Sequence, residues 1–347
     1  MRKRVILYAS KFMNIYKDIQ KALSVMNFEV IWIEANTIPN NPYNKTLGLY
    51  SQQNIIAYMK KATEKWDSLL KEQPFTEPVD FFISIVGYDI PPKAFEELER
   101  RNPKIKKILY LHDRVDGVYQ IDEFFKYYNK IFSFDISDCN KFNLTLLPIY
   151  WVPTCLSNPK TKYDLFAFAS YSPSKPGRTK IFKELKKFAQ TNNLKEFIKL
   201  FDNAYNQGKV KYLLKTAIKK VLGKGNLNPN DILSGLITGN AISPHEYRLL
   251  IDSSSVVFDT QAEYQDGLTA RFMWSLGLGK KIITTNPHIR NYDFYNPDQV
   301  CVINENLTNS KAELDKFLKT SYVPDGRQIK LIEPYRIDNW TKTLLFS

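Results

Sequence analysis

Residues 259–286 read DTQAEYQDGLTARFMWSLGLGKKIITTN, and their types and spacing suit the binding of an anion. Gly267 lets a ligand approach the backbone, Thr269 can cap a helix or donate a hydroxyl, and Arg271 can fork onto phosphate oxygens. The apolar run before them (Ser255, Val256, Val257, Phe258) reads as a buried strand. A helix is expected over 268–278, broken at Gly277 and Gly279, and a second strand over 281–285. A strand-turn-helix-strand unit leaves unpaired N–H groups at the helix start, where the helix dipole also favours negative charge.

Two further groups could do chemistry. Asp113 stands between His112 and Arg114 at the end of the apolar stretch LYLHDR. That position predicts a half-buried carboxylate with a tunable pKa, serving either as a catalytic base or as a turn residue paired with Arg114. The loop 170–177, SYSPSKPG, opens a helix after a strand, so Ser170, Lys175 and Arg178 can lie beside a diphosphate. Asp135, just before Ile136, Ser137 and Asp138, reads as a helix cap.

These groups need sheets to position them, and the chain alternates accordingly. Strands are expected over 4–9, 28–33, 80–86, 107–111, 130–134 and 144–150. Helices fall between them over 15–26, 54–70, 91–101 and 118–128. After a proline-containing linker at 151–162 the alternation restarts, with a strand over 163–169, a helix over 178–190 and a strand over 196–201. The series closes with an amphipathic helix over 337–346. Strands separated by helices of this length pair in parallel through crossovers. The expected fold is α/β, with two doubly wound, Rossmann-like parallel-sheet domains, and ligands of such sheets gather at the carboxyl ends of the strands.

Composition narrows the classes. At 347 residues, 44% hydrophobic and 24% charged, the chain is long enough for two cores and carries no sign of extended disorder. Three separated cysteines and three scattered histidines favour a reducing compartment, hence the cytoplasm, and offer no zinc spacing. No apolar run approaches the roughly 20 residues of a membrane span. G-x-S-x-G, G-x-G-x-x-G, a P-loop and Asp-x-Asp are all absent, which argues against a serine hydrolase, a dinucleotide enzyme, a P-loop NTPase and a metal-dependent single-domain glycosyltransferase. A net charge of +13 calls for a polyanionic neighbour: nucleic acid, an anionic membrane or a phosphorylated substrate. The run 209–224 places Lys209, Lys211, Lys215, Lys219, Lys220 and Lys224 among apolar residues with no acid between them. It reads as a core-packed helix with a solvated lysine face or as a membrane-surface helix.

The stretch QxGLTxR (Gln265, Gly267, Leu268, Thr269, Arg271), the run 277–286, Ile289 and the segment 292–297 together resemble the carboxyl-terminal half of bacterial lipopolysaccharide and capsule glycosyltransferases of GT-B fold. A weaker match covers 106–110 with Asp113, then 130–135 and 146–148. The resemblance implies an acceptor domain over 1–152, a nucleotide-sugar donor domain over 160–334, and a terminal helix, 335–347, packing back on the first. It implies transfer from a nucleotide sugar to a lipid-linked or growing glycan acceptor, with neither metal nor nucleic acid as partner. The donor-binding residues would be Ser170, Lys175, Arg178, Glu263, Gln265, Gly267, Leu268, Thr269 and Arg271. One departure stands out: the family's helix carries a glutamate that holds the donor ribose, and Trp274 occupies that place here, leaving Glu263 or Asp266 as substitutes. A nucleotide-sugar epimerase of the same fold, or a non-catalytic basic protein binding glycan or nucleic acid, are the competing readings.

Overall fold

The computed structural model describes residues 2–85, 87–153, 160–223, 227–261, 265–304, 307 and 311–347. Two compact units divide it. One comprises Met1–Tyr150, Gln265–Gly267 and Pro334–Ser347, the other Trp151–Tyr264 and Leu268–Glu333.

The first unit begins with β1 (Arg4–Ala9), α1 (Ile15–Val25), β2 (Glu29–Glu34), α2 (Gln52–Leu69), α3 (Gln73–Thr76) and β3 (Phe81–Ser84). It continues with α4 (Pro92–Arg101), β4 (Lys106–Leu111), β5 (Lys130–Ser133), α5 (Ile136–Phe142) and β6 (Thr145–Leu146). The strands form one parallel sheet in the order β2-β1-β3-β4-β5-β6. Every residue of β1 is buried, as expected of a strand covered on both faces.

The second unit runs β7 (Tyr163–Ser170), α6 (Pro176–Thr191), β8 (Glu196–Phe201), α7 (Lys209–Val221), α8 (Pro229–Leu233), β9 (Ile237–Thr238), α9 (Pro244–Asp252) and β10 (Ser254–Asp259). Next come α10 (Ala270–Gly277), β11 (Lys281–Thr284), β12 (Val300–Val302), α11 (Lys311–Lys319) and α12 (Gly326–Ile332). Its sheet is parallel too, ordered β12-β11-β10-β7-β8-β9. The last helix, α13 (Ile337–Phe346), belongs to the first unit. It packs on α1, and its Trp340 indole donates to the Pro148 carbonyl at 2.9 Å.

The expected pair of doubly wound parallel sheets is therefore present. Two local readings change. A helix read over 118–128 is a 3-10 helix, Ile121–Tyr127, and it starts no earlier because Gln120 before it takes the left-handed conformation at φ 53°. The strand read over 144–150 shortens to Thr145–Leu146 on the sheet edge, where Pro148 has no N–H to offer the ladder.

Gly277, read as a helix breaker, is instead the last residue of α10, and the left-handed residue is Gly279 at φ 66°. A Cβ on Gly277 would stand 2.2 Å from the Trp151 ring. Ala at 277 would gain about 1 kcal/mol of helix propensity but force the indole aside, at about 1–3 kcal/mol for overpacking. Gly277→Ala is therefore expected to lower the urea midpoint, and a raised midpoint would refute the packing argument.

Candidate functional site

In each sheet the chain turns back beside its first strand, leaving a crevice at the carboxyl ends where ligands of doubly wound sheets collect. In the second unit this switch point lies between β7 and β10. Ser170 ends β7, exposed, and the buried Asp259 ends β10. Asp259 accepts the Thr269 hydroxyl at 2.7 Å and Arg271 Nε at 3.1 Å. Arg271 also donates from Nη1 to the Phe168 carbonyl of β7 at 2.9 Å and from Nη2 to the Thr260 carbonyl at 2.6 Å. The guanidinium thus spans the crevice. Burial would lower its pKa, but interactions with Tyr247 and Asp259 more than offset this and keep it above its ordinary value.

Thr269 caps α10 as expected, accepting the Phe272 N–H at 3.1 Å. Arg271 was expected to fork onto a phosphate or to pair with Asp266 or Glu263, and its ionic partner in the structure is Asp259. Three of its N–H groups serve the protein's own acceptors. Asp259 was missed by the sequence reading, though a carboxylate closing an apolar strand was the available signal. Glu263 lies outside the described residues.

The polar turn before α10 is also used differently. The buried carboxylate of Asp135 caps α5 by accepting from Ser137 N at 3.0 Å and Asp138 N at 3.2 Å. Its Oδ2 accepts the Asp266 and Gly267 amides at 2.9 Å each. These amides, expected to meet a ligand phosphate, already hold an internal anion. Gly267 is small for a related reason: a Cβ there would stand 2.7 Å from the Phe134 carbonyl oxygen and 2.6 Å from its ring. Asp266, a suggested ribose contact, accepts a hydrogen bond from the Ser137 hydroxyl. Gln265 is half-buried, Leu268 is buried, and Trp274 is core, its ring under the Arg248 guanidinium at 5.2 Å.

The start of α6 is cationic in sequence. Lys175 occupies the N-cap position and Arg178 the first turn, with Pro176 between them, and that turn holds no acidic residue. Positive side chains at the positive end of a helix dipole favour an anion there.

In the first unit the switch point lies between β1 and β3. Asp113, beyond β4, is exposed rather than half-buried as expected, because the chain leaves the sheet immediately after Leu111. Arg114, its suggested partner, instead approaches Asp116 at 3.3 Å and both Asp135 and Asp138 at 3.7 Å. The neighbouring His112 contacts the rings of Phe12 and Phe134, and burial lowers its pKa against the pull of Asp113, favouring a neutral imidazole. Asp89, a few residues beyond β3, is fully buried: Oδ2 accepts the Asn36 amide at 3.2 Å, and its carbonyl accepts the Trp66 indole N–H at 3.2 Å. Burial raises its pKa, while Tyr8 and Lys65 oppose the rise. Among the described residues no group of three or more His, Cys, Asp or Glu is placed to hold a metal ion.

No protein-family model matches the sequence, and a search of curated proteins finds no match to it. Solved structures do match. The UDP-forming α,α-trehalose-phosphate synthase of Burkholderia vietnamiensis superposes with a TM-score of 0.60 at 10% identity, over 99% of this chain and 98% of that one. The OtsA apo structure gives a TM-score of 0.61 at 12% identity, over 99% and 98%. The UDP-GlcNAc 2-epimerase of Methanocaldococcus jannaschii, solved with UDP-GlcNAc and UDP, gives 0.52 at 10% identity, again over 99% and 98%. At this identity the likeness defines the fold: a two-domain Rossmann-like arrangement of GT-B type.

A raised pKa means that folding favours protonated Asp89, so this group's contribution to stability falls as pH rises from the ordinary carboxylate range toward the folded pKa. Asp89→Asn removes the titration while keeping the shape. Thermal midpoints of variant and wild type should converge in acid below the carboxylate range and diverge in the variant's favour toward neutrality. A wild type that is the more stable at neutral pH would mean an ionised Asp89 paired with Lys65.

Proposed function

We propose that the protein is a glycosyltransferase moving a sugar from a nucleotide-activated donor to a lipid-linked or growing cell-surface glycan of the lipopolysaccharide or capsule type, without a metal ion. The observation that carries this reading is the doubly cationic start of α6 beyond the β7 end of the crevice in the second unit. A nucleoside diphosphate would place its charges there, against Lys175, Arg178 and the helix N-terminus, with the Ser170 hydroxyl alongside. The matched structures named for UDP or UDP-sugars support a nucleotide-sugar ligand. Arg271 then acts by fixing the crevice walls, and any phosphate contact comes from the donors it has left after Asp259, Phe168 and Thr260.

Chemically, an acceptor hydroxyl oxygen attacks the anomeric carbon as the bond from that carbon to the β-phosphate oxygen breaks. The diphosphate leaves with the bonding electron pair, and its charge is met by the α6 cations. A base takes the hydroxyl proton if the stereochemistry inverts, and exposed Asp113 in the first unit is the candidate. The epimerase reading keeps weight from the Methanocaldococcus match, and product analysis separates it: an epimerase changes the sugar while it is still attached to the nucleotide.

Calorimetric titration of nucleoside diphosphates in excess chelator tests the donor site. Lys175→Ala and Arg178→Ala should each weaken binding by about 1.5–3 kcal/mol, the range for hydrogen bonds to charged groups, and should weaken the parent nucleoside much less. Arg271→Ala should instead lower folding stability by about 3–5 kcal/mol, because it leaves buried Asp259 unpaired. Equal losses for diphosphate and nucleoside in the α6 variants, or binding only with added Mg²⁺, would remove this site. For the base, Asp113→Asn should abolish transfer while sparing donor affinity. Near-normal turnover would pass the role to His112 or Asp89.

A further inference from the structure

Helix α7 has two unlike faces. Tyr212 and Thr216 are buried on the second unit, with the Tyr212 hydroxyl donating to Asp202 at 2.6 Å, and Leu213 and Ala217 are half-buried beside them. Val210, Leu214, Ile218, Val221 and Leu222 are 72, 61, 59, 88 and 59% exposed. At about 100° per residue this apolar stripe lies roughly opposite the packed face, and Lys211, Lys215 and Lys219 run along one border of it. No acidic residue occurs between 209 and 223. A helix that merely covered a core would turn these aliphatic side chains inward, and a merely solvated one would not carry them.

We infer that α7 lies on an anionic lipid bilayer, with Val210, Leu214, Ile218 and Val221 entering the acyl boundary and the lysines among the headgroup phosphates. A bilayer offers an apolar layer bordered by negative charge, which matches the stripe and its border together. A second copy of the chain seated antiparallel on the same stripe would bring two lysine borders together, and like charges oppose that pairing. A single such helix gives reversible, salt-sensitive attachment, and no described helix is long and apolar enough to cross a membrane. The inference does not rest on the transfer reading, since attachment needs no donor.

The test is co-sedimentation of the full chain with vesicles of phosphatidylcholine alone and with added phosphatidylglycerol, over a salt series. Binding should need phosphatidylglycerol and weaken with salt. The double variant Leu214→Gln/Ile218→Gln and the triple variant Lys211→Gln/Lys215→Gln/Lys219→Gln should each lose about tenfold or more in vesicle affinity. Thermal midpoints should hold because these side chains are solvent-facing, and Val221→Gln, at the most exposed position, replaces any variant that fails to fold. No binding to phosphatidylglycerol vesicles at low salt, or wild-type affinity in the stripe variant, would overturn the inference. So would a wild-type dimer, seen by light scattering, that the stripe variant dissolves: it would assign the surface to a second copy.

Discussion

One buried ion pair organises the second unit's crevice. Asp259 ends β10 in a place where an unpaired carboxylate would be costly, and Arg271 answers it while also holding the carbonyls of Phe168 and Thr260. Two strands that meet only through their ladder would splay beyond its end. The guanidinium sets their separation there and fixes where α10 starts, since Thr269 caps the helix and bonds the same carboxylate. In the proposed site the ligand then meets a crevice that is already shaped, so little ordering cost remains for binding to overcome.

Positions that look alike in sequence are used differently. The amides of Asp266 and Gly267 hold Asp135, and the Arg271 guanidinium holds Asp259. The first turn of α6 carries its cations with no acid of its own. In the Asp266–Gly267 turn and at Arg271 the folded chain supplies the anion itself, at much higher effective concentration than a free ligand. The α6 start, the weaker motif on paper, carries the functional proposal through its place beyond the end of β7 and its two cations.

The sheets were legible because buried parallel strands are continuous apolar runs: RVILYA, FFIS and SSVVFD announce themselves, and the helices between them force parallel pairing. The Thr269 cap was legible from local chemistry, and so was Asp135 as a cap of α5. The second role of Asp135 was not, because its bonds to Asp266 and Gly267 span 131 and 132 residues and nothing in either segment names the other. Asp113 was misjudged for a different reason: hydrophobic flanks predict burial of a strand, but the turn leaving its end decides where the next side chain points. The amphipathy of α7 was visible in its sequence, whereas which apolar residues face outward depends on the register in which Tyr212 and Thr216 seat the helix.

The central claim is that the start of α6 and the β7–β10 crevice hold a nucleoside diphosphate. Hydrogen–deuterium exchange on the full chain, with and without the nucleoside diphosphate that most raises its thermal midpoint, tests it most directly. The account predicts slowed exchange in the first turn of α6 and at the start of α10 around Ala270 and Arg271, whose amides have no acceptor within the helix. Protection confined to other segments, or no nucleoside diphosphate that shifts the midpoint at all, would contradict it.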